Sequence, residues 1–225
     1  PVDRVHPQPK ASGLRKTLLI IAMAAFVWLL PVSQPAAERA GQTTRFAGSI
    51  EKLDPDLRQR MTGSSWHRGC PVSLSRLRLL RVRYWGFNRQ IRRGHLVVHA
   101  DSARGMYRVM KKLFDRRFVI KRMRLVDAYG ADDHRSMDAD NTSAFNCREV
   151  SGKPGVWSQH AYGRAIDLNP RENPYVTSGG FVSPPAGRPF ARRKPHRKGM
   201  VSARGRVVKI FAGEGWRWGG SWVGT

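Results

Sequence analysis

The chain has 225 residues, 40% of them hydrophobic, with 7 Trp and 9 Phe. That is enough apolar surface to bury a core, and it excludes a globally disordered chain. With 41 Lys+Arg against 16 Asp+Glu the formal net charge is +25, which points to an anionic partner (nucleic acid, anionic lipid or the polyanions of a cell wall) without choosing among them.

In chain order, Arg15 and Lys16 precede an apolar run from Thr17 to Leu30, closed by Pro31 and followed by the small residues Ser33, Ala36 and Ala37. A run of about 14 residues has the length of a signal-peptide core and is short for a membrane span. Residues 1–37 are therefore expected to be a basic N-region with a signal peptide or an uncleaved signal anchor, and the protein to be exported. Residues 38–60 are polar and read as a linker with a first short helix. The globular domain is placed at 61–225.

Within that domain, Leu80 to Phe87 alternates apolar and basic residues, the pattern of a half-exposed strand. Gly94 to His99 predicts a second strand, and Asp101 or Ser102 can cap the helix that follows. Met106, Val109, Met110, Leu113 and Phe114 recur at three- and four-residue spacing, giving that helix one apolar face. Lys111, Lys112, Arg116 and Arg117 then complement its C-terminal dipole. Arg122 to Ala128 and Tyr162 to Leu168 read as strands, and Ser202 to Ala212 as a short helix. Asp132 to Ser158 and Phe181 to Met200 read as loops, and Gly215 to Trp222 as a strand and turn. The layout is α+β: a small antiparallel sheet flanked by helices. Cys70 and Cys147, a lone pair in an exported chain, form either one disulfide or two buried thiols. Neither has a neighbour in a C-x-x-C arrangement, which argues against a cysteine zinc site.

The stretch that carries chemistry is Ser158-Gln159-His160-Ala161-Tyr162-Gly163-Arg164-Ala165-Ile166-Asp167. Imidazole nitrogen and carboxylate oxygen both suit a divalent metal, and Gly163 lets the backbone turn so that the two side chains converge. A His and an Asp at this separation are weak evidence by themselves. The whole string Ser-x-His-x-x-Gly-x-Ala-x-Asp, however, resembles the signature of the D-alanyl-D-alanine carboxypeptidase and L-alanyl-D-glutamate endopeptidase family, zinc peptidases with a hedgehog-type fold. The resemblance extends to Asn141-Thr142-Ser143-Ala144-Phe145-Asn146-Cys147-Arg148, which is similar to the endolysin-like branch of that family. It also takes in Ser65-Trp66-His67 with Gly69-Cys70-Pro71, Asp167-Leu168-Asn169-Pro170 with Asn173-Pro174-Tyr175, and the Trp-rich run Gly215 to Trp222.

The resemblance implies zinc as cofactor, His160 and Asp167 as two of its ligands, and hydrolysis of peptidoglycan stem peptides. It implies that Arg148 sits over the metal, steadying an oxyanion or holding a substrate carboxylate. Ser158 is expected to hydrogen-bond substrate near the metal or to cap a local turn. Cys70 and Cys147 both fall in matched blocks, in keeping with a disulfide. The family closes its site after the Trp-rich run with an acidic base and a third zinc-binding His. Neither follows Trp222 here, so both are expected beyond Thr225, and little activity is expected of the 225 residues alone. Glu214 lies on the wrong side of Trp216 to be that base. His6, His67, His95, His99, His134 and His196 match no family ligand, and Asp140 stands where the pattern leads one to expect Asn. The partners expected are peptidoglycan peptides and anionic cell-wall polymers, with no nucleic acid, with membrane contact limited to the N-terminal segment, and with the protein a monomer. The alternative is a non-catalytic wall-binding domain of the same fold.

Overall fold

The computed structural model describes residues 44–193 and 197–221. The stretch expected to be a signal segment, together with His6 and His196, lies outside the described residues. The central sheet is built from β1 (Gly48–Lys52), β2 (Leu77–Gly86) and β3 (Ile91–His99) in that order, all antiparallel, with the short β4 (Val119–Ile120) parallel to the end of β2. Register places Leu80 opposite Leu96 and Leu79 opposite Val97. Successive side chains in a strand face opposite sides, so the two parities of β2 and β3 feed two cores. On one face Leu80, Val82, Tyr84, Leu96 and Val98 pack with helix α2 (Ala103–Asp115). On the other, Leu77, Leu79 and Val97 pack with Leu57 and Met61 of helix α1 (Pro55–Met61) and with Phe145.

Helix α2 buries the apolar face expected of it: Met106, Val109, Met110, Leu113 and Phe114 are all at most 4% exposed. Ser102 is its N-cap position, though its side chain makes no capping bond. Lys112 of the last turn pairs with Glu214 rather than with the helix end. The α+β class holds, with helices and small antiparallel sheets together. Helix α1 is the short helix expected at the end of the linker stretch, while strand β1 was not expected there, and Leu53 and Leu57 are core residues. Among the described residues no helix is long and apolar enough to cross a membrane.

The second half of the chain departs most from the sequence reading. Arg122 to Ala128 holds a two-residue strand, β5 (Arg122–Met123), and then turns into a 3-10 helix. Tyr162 to Leu168 is not a strand; its one ladder contact is a bridge between Asp167 and Ser143. The region read as a long loop contains helix α3 (Asp133–Asp138), β6 (Asn141–Thr142) and the hairpin β7 (Glu149–Val150) with β8 (Lys153–Trp157). Strands β9 (Tyr175–Val176) and β10 (Val182–Ser183) pair, and helix α4 (Arg206–Ala212) follows where a short helix was expected. The described part of the Trp-rich run, residues 215–221, ends in a 3-10 helix (Gly219–Ser221) and holds no strand, and Trp222 lies outside the described residues. Asparagine side chains replace ladder bonds in this half. Asn169 Nδ2 donates to Val119 O and Gly199 O while its Oδ1 accepts from Lys121 N. Asn141 and Asn173 staple their segments in the same way, so the loops are fixed without regular structure.

Candidate active site

The outer edge of β3 is covered rather than open. Phe145 N donates to Val97 O, and His99 N donates to Gly163 O. These two contacts bring the segment 141–148 and the loop 158–169 side by side, and the paired bonds between Ser143 and Asp167 lock them together. Gly163 is what allows the close approach: its φ is +65°, and a Cβ there would lie 2.6 Å from His99 N.

The loop delivers two side chains to one point. His160, 8% exposed, donates from Nδ1 to Ala144 O at 2.6 Å. That bond sets the tautomer and leaves the Nε2 lone pair pointing away from the backbone, as is usual in a metal-binding imidazole. Nε2 stands 3.4 Å from Asp167 Oδ2. This is long for a charge-assisted hydrogen bond, about 2.7–2.9 Å. It does match the separation of two ligand atoms on a tetrahedral zinc, about 3.3 Å when each bond is about 2.05 Å. Burial alone would push the His160 imidazole down, but the Asp167 carboxylate outweighs it and raises it. Burial would likewise raise Asp167, and the imidazole and the nearby Arg148 guanidinium bring it below the usual carboxylate range. The donor set fits a divalent cation, which would displace the Nε2 proton that Asp167 otherwise favours and leave an imidazole nitrogen and an ionised carboxylate as ligands.

Both side chains open on a cleft of about 840 Å³, walled by Leu168, Tyr175, Phe211, Trp216 and Trp218. His160 is the sole imidazole among the described residues of its wall, and the other two carboxylates there are taken. Asp101 binds Arg164 and the buried His99, and is held at about 2 despite its partial burial. Glu214 is bound by Arg108 and Lys112, which lower it to about 2, so both its oxygens are engaged by cations, in line with its position before Trp216.

Arg148 lies close enough to act on both His160 and Asp167. Its Nη2 is 2.7 Å from Asp133 Oδ2, and its Nε is buried with no partner. Ser158 is buried and its Oγ accepts from His160 N at 3.3 Å, the geometry of a local turn cap. Cys70 and Cys147 are joined in a disulfide. His67 approaches the two sulfurs, with the three ligand atoms within 4.8 Å of one another, but sulfurs bonded to each other are not the thiolates a metal site needs. His95 lies on the sheet beside Arg81, and His134 is exposed.

The described residues thus bring the buried His160 imidazole and the part-exposed Asp167 carboxylate, spaced for one cation, to a single cleft in a mixed α+β fold. The model of a family described as D-alanyl-D-alanine carboxypeptidase, of the M15 zinc peptidases, matches residues 151–225. That segment holds His160, Asp167 and the Trp-rich run. No curated protein and no solved structure matches the chain.

Proposed function

We propose that the protein is an exported zinc peptidase that hydrolyses the D-amino-acid stem peptides of peptidoglycan. The observation that carries this reading is the convergence of His160 Nε2 and Asp167 Oδ2 at 3.4 Å, with Nδ1 tied to Ala144 O. The match of residues 151–225 to the carboxypeptidase family supports it. Zinc, held by His160 and Asp167, would supply a Lewis acid for the scissile carbonyl and lower the pKa of water. The chain's own residues do the rest. Ala144 O holds the His160 ring in the ligating tautomer. Arg148, oriented by Asp133, offers a fixed positive charge to the developing oxyanion. The aromatic and aliphatic part of the cleft wall lowers the local dielectric and strengthens both effects.

The third ligand and the acidic base are proposed to lie outside the described residues, since the described wall of the cleft holds no second imidazole and its remaining carboxylates are ion-paired. The excess positive charge is proposed to hold a monomeric enzyme on anionic wall polymers, an attachment that rising salt should weaken. The test is zinc-dependent release of D-alanine from a D-alanyl-D-alanine stem peptide by the full-length protein. His160→Ala and Asp167→Ala should each abolish it. Retention on purified wall without any hydrolysis would favour the non-catalytic binding domain instead.

A further inference from the structure

Arg193 was one of several basic residues in what the sequence presents as a surface loop, but the fold turns it inward. It lies on the wall of the same cleft as His160 and Asp167. Its backbone is in the left-handed region, φ +48°, where an arginine has no intrinsic reason to sit. The guanidinium is pinned at two places. Nη2 donates to Pro174 O at 2.7 Å, on the loop that descends from Asp167, and the indole of Trp218 lies 5.4 Å from the guanidinium carbon. Nη1 is buried and meets no acceptor. Among the described residues no carboxylate forms an ion pair with it, and burial lowers its pKa. A half-buried cation with a shielded, unmet donor is costly unless something supplies the charge and the acceptor.

We infer that Arg193 is the anchor for the free C-terminal carboxylate of the substrate peptide. This rests on the peptidase reading and deepens it, because an enzyme with such an anchor trims the last residue of a stem peptide and does not cut within the chain. A carboxylate suits the site: a planar fork of N–H donors matches its two oxygens, and a half-desolvated guanidinium gains most from an anion. Nη1 is shielded in this structure, so binding the carboxylate requires a local side-chain movement that uncovers it. The tie to Pro174 holds the guanidinium on the wall of the cleft that His160 and Asp167 also line.

The experiment is equilibrium binding, by calorimetry, of an acyl-lysyl-D-alanyl-D-alanine peptide as the free acid and as its C-terminal amide. The protein is stripped of metal so that nothing is cleaved. The wild type should bind the acid at least about tenfold more tightly than the amide. Arg193→Met should bring the acid down to the level of the amide and leave the amide unchanged. Arg193→Lys, which keeps the charge and loses the fork, should fall between, and it serves if the methionine variant does not fold. A preference for the acid that survives in both variants, or an equal loss for acid and amide at unchanged melting temperature, would overturn the anchor while leaving the peptidase reading standing. If the wild type binds neither peptide, both fall.

Discussion

Asp140 and Glu172 form a buried acid pair next to the site, and they should make the protein's stability fall as pH rises. Asp140 is 2% exposed and Glu172 8%. Burial, then the hydrogen bond and charge of Asp140, push Glu172 from 4.5 up to about 8. Asp140 Oδ1 accepts from Arg171 N, and the Arg171 guanidinium pulls weakly the other way. Between those two pH values the folded protein holds a proton that the unfolded chain has already released. The associated stability is full below about pH 4.5 and is lost as pH climbs towards 8. At about 1.36 kcal/mol per pH unit the loss is capped at about 5 kcal/mol. Local relaxation around the pair should leave about 2 kcal/mol. Glu172→Gln keeps the shape and a donor for Asp140 but cannot ionise. Urea unfolding of both proteins at pH 5 and pH 8.5 isolates the effect, because every other titrating group cancels in the difference. The variant should match the wild type at pH 5 and exceed it by about 2 kcal/mol at pH 8.5. Parallel pH dependences for the two proteins would refute the reasoning.

Three further outcomes are expected. Gly163→Ala puts a methyl 2.6 Å from His99 N at a φ of +65°, and should cost about 2–3 kcal/mol in unfolding experiments and displace the His160 loop. Replacing both Cys70 and Cys147 by Ser opens a link between residues 77 apart in sequence, with an expected loss of about 2–5 kcal/mol, read as a fall in melting temperature that a reductant reproduces in the wild type. Glu214→Gln should leave D-alanine release within about threefold of wild type, since its carboxylate is bound by Arg108 and Lys112; a collapse of kcat would make it the base after all.

The first half of the fold was legible because its signals are local. The alternation in β2 and the helical spacing in α2 each follow from one element meeting the sheet, and they appear as read. The His160–Asp167 pair and the disulfide were reachable through the resemblance, since both depend on blocks far apart in the chain. The second half was not legible, because side-chain staples replace periodic ladders there. Tyr162 to Leu168 carries apolar residues like a strand, yet Gly163 must turn against His99 and the segment is held by the Ser143–Asp167 bonds instead. Asn169 and Asn173 look like ordinary loop residues until their bonds to Gly199 are seen. Arg193 had no signal at all. One arginine among 41 basic residues cannot be distinguished until the fold shows which one is half-buried with a shielded, unpaired Nη1.

The central claim is that zinc sits between His160 and Asp167. X-ray absorption at the zinc edge of the loaded protein tests it most directly. A shell of nitrogen and oxygen at about 2.0–2.2 Å, lost together with the bound metal in both His160→Ala and Asp167→Ala, is the predicted result. Sulfur at about 2.3 Å, or zinc retained at full stoichiometry in both variants, would place the metal elsewhere and contradict the account.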